Sequence, residues 1–126
     1  MGYLVDSNVL IDYVADRFNK AQLKTLDLIL DEALRVSVIT KIEILGYNGV
    51  PEEDEKMLEF LNYAEILALS ESIVERTIHL KKAIKMKTPD AIIAATALVY
   101  GFTLITNNVA DFRRVEALKV FNPYEL

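Results

Sequence analysis

With 126 residues the chain is the size of one typical domain, and 52% of it is hydrophobic, enough for a single large core and at the apolar end of soluble composition. The lack of cysteine excludes a disulfide framework and a thiolate metal site, and no apolar run approaches the roughly 20 residues that span a bilayer. A net charge of −5 counts against a nucleic-acid binder, which usually carries a basic footprint, yet an enzyme that gathers carboxylates around a metal ion reads as acidic until the metal is counted. The opening Met1-Gly2-Tyr3-Leu4-Val5-Asp6 has no basic region and no long apolar stretch, so no secretory signal is expected and a cytoplasmic protein without membrane contact fits best.

Gly and Pro are scarce (4 and 3) and fall at boundaries, and there is no repeat, linker or low-complexity tract; residues 1–126 read as one domain. Tyr3-Leu4-Val5 is a short β-type run ending at Asp6, and Ser7-Asn8 can cap a helix beginning with Val9, Leu10 and Ile11. Leu23, Leu26, Leu30, Ala33 and Leu34 recur at helical spacing. Val36-Ser37-Val38 reads as a second strand, followed by Thr40 and a short helix through Glu43 that stops near Gly46 or Gly49. Pro51, then Glu52, Glu53 and Asp54, marks another helix start, with Met57, Leu58 and Leu61 on its apolar side.

Glu65 to Leu69 is a third strand, and Ser70 caps a helix whose expected inner side is Ile73, Val74, Thr77, Ile78, Leu80 and Ile84. His79, the only histidine, lies among lysines on that helix and reads as a surface residue. Thr88-Pro89-Asp90 is a strong helix start and Gly101 suits the position just past the end. The segment between, Ala91 to Val99, is apolar on every side and therefore expected to be buried. Thr103 to Thr106 is a fourth strand and Lys119-Val120-Phe121 a fifth, weaker one.

Strands and helices alternate with connections long enough for crossovers, which argues for an α/β domain with a parallel sheet covered on both faces. Ligands of such sheets sit at the carboxyl ends of the strands, where strand order reverses. Asp6 ends strand one, Glu43 lies a helical turn after strand two, and Asn108 and Asp111 follow strand four. Asp90 begins its helix instead. That helix, about 16 Å long from Asp90 to Tyr100, must run antiparallel to strand four, which returns Asp90 to the same edge.

Taken singly, each acid has a structural explanation: Asp6 as a turn or cap, Asp90 as a first-turn acid that complements the helix dipole, Asn108 or Asp111 as a cap for the turn holding Phe112. Glu43 is harder to explain so, because Lys41-Ile42-Glu43-Ile44-Leu45 is otherwise apolar. Together they need a reason to converge, since two unit charges about 4 Å apart repel by roughly 4 kcal/mol at an effective dielectric of 20. A shared proton or a bound cation would offset that, and oxygen-only ligands suit Mg²⁺ or Mn²⁺. Such ions activate water for attack on a phosphodiester.

These residues resemble a known family. Tyr3-Leu4-Val5-Asp6-Ser7-Asn8-Val9-Leu10-Ile11 looks like the first strand and acid of PIN domains, and Thr40-Lys41-Ile42-Glu43-Ile44-Leu45-Gly46 like their second acid. Pro89-Asp90-Ala91-Ile92-Ile93-Ala94-Ala95-Thr96-Ala97 resembles the third and is the most specific block, while Leu104-Ile105-Thr106-Asn107-Asn108-Val109-Ala110-Asp111-Phe112 is similar to the closing motif. The resemblance implies a three-layer α/β/α sandwich with a central, mostly parallel sheet of about five strands, and a Mg²⁺- or Mn²⁺-dependent endoribonuclease acting on RNA. It is strongest to VapC-type toxins of type II toxin–antitoxin systems, which implies a small antitoxin partner and a homodimer. By position, Asp6, Glu43 and Asp90 would be metal ligands, with the fourth place open between Asn108 and Asp111, and Ser7 and Thr106 as polar supports.

Two rivals fit less well. A phosphoacceptor receiver would need an Asp after strand three, where this chain has Ser70, and a haloacid-dehalogenase-type phosphatase would need an Asp at position 8, which is Asn. A PIN fold that no longer cuts RNA and serves as a binding or scaffold module is the more serious alternative, since Asn108 is a neutral and weaker ligand.

Overall fold

The computed structural model describes residues 2–46 and 51–126, with side chains of the second segment from residue 54 onward. The expected helix stop at Gly49, Tyr47, and the side chains of Glu52 and Glu53 lie outside the described part. In chain order the elements are β1 (Tyr3–Val5), α1 (Ser7–Val14), α2 (Lys20–Glu32), β2 (Arg35–Ser37), α3 (Val38–Leu45) and α4 (Pro51–Leu61). There follow β3 (Glu65–Leu67), α5 (Glu71–Ala83), α6 (Thr88–Tyr100), β4 (Thr103–Ile105), α7 (Val109–Phe112), β5 (Val120–Phe121) and a 3-10 turn at Pro123–Glu125.

All strand pairs are parallel. β1, β4 and β5 form one ladder with Val5 opposite Ile105, and β2 and β3 form a second with Ser37 opposite Leu67. β1 lies beside β2 but the two share no ladder, so the expected five-stranded sheet is divided three plus two. Strands of two or three residues offer very few edge hydrogen bonds, and a slight divergence between neighbours leaves none. The spatial order β3-β2-β1-β4-β5 reverses direction between β1 and β4, which is where a ligand site is expected.

Alternation along the strands builds a core on each face. Leu4, Leu67 and Leu104 face Ile73, Leu80, Phe112 and the buried run Ala91–Ala97 of α5, α6 and α7. Val5, Val36 and Ile105 face Val9, Leu10, Leu26, Ile29, Met57 and Leu61 of α1, α2 and α4. This is the three-layer sandwich implied by the sequence. Helix α6 is buried throughout its middle, and Thr96 survives there because its hydroxyl donates to the Ile92 carbonyl one turn back at 2.7 Å.

Several boundaries differ from expectation for local reasons. Asp6, not Ser7-Asn8, caps α1, its Oδ1 accepting from the Ser7 backbone N–H at 2.9 Å. Val38 opens α3 rather than closing β2, because the Ser37 hydroxyl accepts from the Ile39 N–H and starts the helix there. β3 ends at Leu67 and leaves Leu69 exposed. On α5 only Ile73, Thr77 and Leu80 are fully inside, while Val74 and Ile78 are exposed, as is Leu58 on α4. α2 ends at Glu32, because Ala33 turns extended (φ −172°) to lead Leu34 into β2, whereas Ser70 caps α5 and Gly101 ends α6 in the left-handed conformation (φ 72°) as expected.

Candidate active site

The site begins with the register of β1 and β4. Because Val5 pairs with Ile105, the residues that follow them, Asp6 and Thr106, leave the carboxyl edge side by side. The Asp6 backbone N–H donates to the Ile105 carbonyl at 3.0 Å, and the Thr106 hydroxyl donates to Asp6 Oδ2 at 2.8 Å. Both residues are buried. The same Thr106 Oγ1 accepts from the Asn108 backbone N–H at 3.0 Å, so one hydroxyl ties the first acid to the chain that carries the last. With Ser7 N–H on Oδ1 and Thr106 on Oδ2, Asp6 has both oxygens anchored and each retains a further lone pair.

Glu43 projects from the second turn of α3, and Asp90 stands in the first turn of α6 behind Pro89. Burial raises the Glu43 pKa above its usual range, and the charges of Asp6 and Asp90 raise it further, while the Ser7 hydroxyl opposes the shift as a hydrogen-bond donor. Burial likewise raises Asp90, followed by the charges of Asp6 and Asp111, with Lys87 acting the other way. The four acids therefore share one field.

Asn108 and Asp111 are in direct contact. The Asn108 side-chain amide donates to Asp111 Oδ2 at 3.0 Å, and Arg114 pairs with Asp111 Oδ1 at 3.7 Å. Asn108 precedes α7 without capping it through its side chain; its amide bonds Asp111 instead. Sequence reasoning missed Arg114, which also donates to the Lys85 carbonyl at 2.9 Å and so pins α7 to the loop that enters α6. Arg114 carries no signal in the linear sequence, because its contacts depend on a neighbour distant along the chain. Thr40, which opens the second-acid block one turn ahead of Glu43, is fully buried with Oγ1 lacking a partner among the described residues.

The residues present fit a hard divalent cation, being oxygen donors with several negative charges in one field. Among the described residues, however, no three His, Cys, Asp or Glu side chains close to the spacing of a fully protein-ligated ion. An ion such as Mg²⁺ commonly retains several waters, so these acids can hold it directly or through its bound water.

A small α/β/α sandwich with acids converging at the reversal of its parallel strand order defines the class of domain. Residues 3–118 match the PIN domain family, and this chain belongs to it. Ribonuclease VapC1 of Rickettsia felis is 31% identical over 95% of each chain, and Ribonuclease VapC1 of Methanocaldococcus jannaschii is 29% identical over 94% of this chain and 86% of its own. A toxin–antitoxin complex from Klebsiella pneumoniae contains a chain similar at 30% identity and TM-score 0.78, covering 99% of this chain and all of that one. VapBC2 from Rickettsia felis, solved bound to a DNA fragment from its promoter, has the same fold at TM-score 0.83 and 21% identity, with 97% and 98% of the two chains covered.

Proposed function

We propose that this chain is the endoribonuclease toxin of a toxin–antitoxin pair and hydrolyses RNA phosphodiester bonds with Mg²⁺ or Mn²⁺. The observation that carries the reading is the shared field of Asp6, Glu43, Asp90 and Asp111 at the strand-order reversal, in a chain whose relatives over nearly its whole length are named ribonucleases. Asp6, Glu43 and Asp90 hold the ion, Asp111 completes the negative field, and Asn108 orients Asp111. When bound, the ion supplies an acidified water and neutralises charge on the phosphodiester. Thr106 and Ser7 hold Asp6 in place, so the ligand is positioned before substrate arrives.

The antitoxin partner is inferred from the toxin–antitoxin complex of similar fold and 30% identity. A homodimer is inferred from the exposed apolar side chains of Ile42, Leu58, Val74 and Ile78, and sedimentation across micromolar concentrations tests it. Among the described residues no helix is long and apolar enough to cross a membrane; we place the protein in the cytoplasm, consistent with its lack of cysteine.

The test is incubation of purified protein with total cellular RNA, with and without Mg²⁺ or Mn²⁺, beside Asp6→Asn. Cleavage that needs the metal and is lost in the variant is expected. The neutral Asn108 at the fourth position favours one second reading, a non-cutting RNA-binding scaffold of the same fold; RNA that stays intact under either metal, with the folded protein still bound to it, would select that reading.

A further inference from the structure

The chain is acidic overall, but its charge is segregated. From Arg76 to Lys119 there are eight Lys and Arg against three Asp and Glu, and the rest of the chain has six against sixteen. In the fold this basic stretch is the distal part of α5, then α6 and α7, all on one face of the sheet. A cleft of about 500 Å³ opens on this face between α5 and residues 114–117. Its apolar lining includes Leu80, Ile84 and Leu98, and its polar side chains are Arg76, His79 and Arg114, opposed by Glu116. None of the candidate metal ligands lines it.

We propose that this cleft binds one nucleotide of the RNA strand outside the scissile bond, the phosphate on Arg76, His79 and Arg114 and the base over the apolar lining. A volume of about 500 Å³ lies within the ~300–1,000 Å³ range of small-ligand pockets, and an apolar surface edged by cations matches a base with its attached phosphate. Arg114 joins the cleft to the active site. While lining the cleft, it donates to the Lys85 carbonyl and pairs with Asp111, and Lys85 and Lys87 lead the chain from this wall to Asp90. A strand seated here crosses basic surface on its way to the acids, whereas the other helical layer would repel it. This inference rests on the ribonuclease reading above.

The test compares wild type with Arg76→Glu/His79→Ala; both side chains are exposed and outside the metal site. Affinity for a labelled single-stranded RNA of about 12 nucleotides, long enough to span cleft and acids together, is measured by fluorescence anisotropy in chelator across a salt series. Cleavage of the same RNA is measured with Mn²⁺. The double variant is expected to bind about five- to tenfold more weakly and to raise KM correspondingly, with kcat within about twofold. The slope of log affinity against log salt should flatten by about 0.7 for each phosphate that the variant no longer neutralises. Unchanged affinity, KM and salt slope in a variant with wild-type circular dichroism would overturn the proposal while leaving the nuclease intact. Unchanged RNA affinity with lost binding of a polyglutamate peptide would assign the cleft to an acidic protein partner and overturn it as well. Wild type that neither binds nor cuts RNA would remove both this inference and the function on which it rests.

Discussion

The Thr106 hydroxyl donates to Asp6 Oδ2 at 2.8 Å and accepts from the Asn108 N–H at 3.0 Å, so one buried oxygen sets both the first acid and the start of the segment that carries Asp111. Thr106→Val keeps the shape and removes the hydroxyl. It strands a part-buried N–H and a buried carboxylate oxygen, for an expected loss of ~1–3 kcal/mol in urea unfolding. Groups that orient metal ligands are typically worth about 10–100-fold in metal affinity or activity, and a Mn²⁺ titration of RNA cleavage should show a loss in that range. Thr106→Ser should restore most of it. Wild-type cleavage by the valine variant would mean that Asp6 needs no such anchor.

The raised pKa values of Glu43 and Asp90 make a stability prediction for the metal-free protein. Both groups bind protons more readily when folded than at their usual values of 4.5 and 3.8. Their contribution is therefore most favourable below those values and declines as pH rises through the raised ones. In chelator at neutral pH, Glu43→Gln/Asp90→Asn should melt at higher temperature than wild type, with the gap narrowing as pH falls toward 4.5. Added Mg²⁺ should raise the melting temperature of wild type only, since binding to the native state stabilises it. A wild type at least as stable as the variant in chelator at neutral pH would contradict the repulsive cluster.

Tyr13 reports on the opposite core. Burial, and then a 2.5 Å hydrogen bond to Asp27 with that residue's charge, pushes its pKa from 10.0 to about 12. A raised value stabilises the fold below pH 10 and is lost as pH climbs to about 12. The stability advantage of wild type over Tyr13→Phe should shrink across that interval, in step with the tyrosinate absorbance of this residue. An advantage independent of pH would show that the phenol is not linked to folding.

Phe112 is fully buried and secures the four-residue α7 against the α5–α6 core. Phe112→Ala should cost about 3–5 kcal/mol by thermal or urea unfolding. Because α7 also carries Asp111, cleavage should fall even at a temperature where the variant remains folded. Full activity in the folded variant would show that α7 holds Asp111 in place without this anchor.

Much of the architecture is legible along the chain because its signals are local. The apolar run Ala91–Val99, the Thr88-Pro89-Asp90 start and Gly101 at its end describe α6 with no reference to other residues. Asp6, Glu43, Asp90 and Asp111 could be grouped because each stands just past a strand, in the early turns of a helix, or in the segment that follows a strand. Boundaries were less legible where capping competed with strand pattern: Ser37 ends β2 by starting α3, and Asp6 is both cap and candidate ligand. The exposure of Val74 and Ile78 could not be read either, since helical spacing gives a face but not what covers it.

The sequence by itself determined the class of fold and the family, because periodicity, caps and residue type are properties of short segments. Tertiary structure alone decided that the Asn108 amide donates to Asp111, that Thr106 serves two partners, and that Arg114 joins α7 to the Lys85 loop. It also gathered the basic stretch from Arg76 to Lys119 onto the α5–α7 side of the sheet. Those relations connect residues up to a hundred positions apart, and only the packing of parallel strands into register brings such residues within hydrogen-bonding distance.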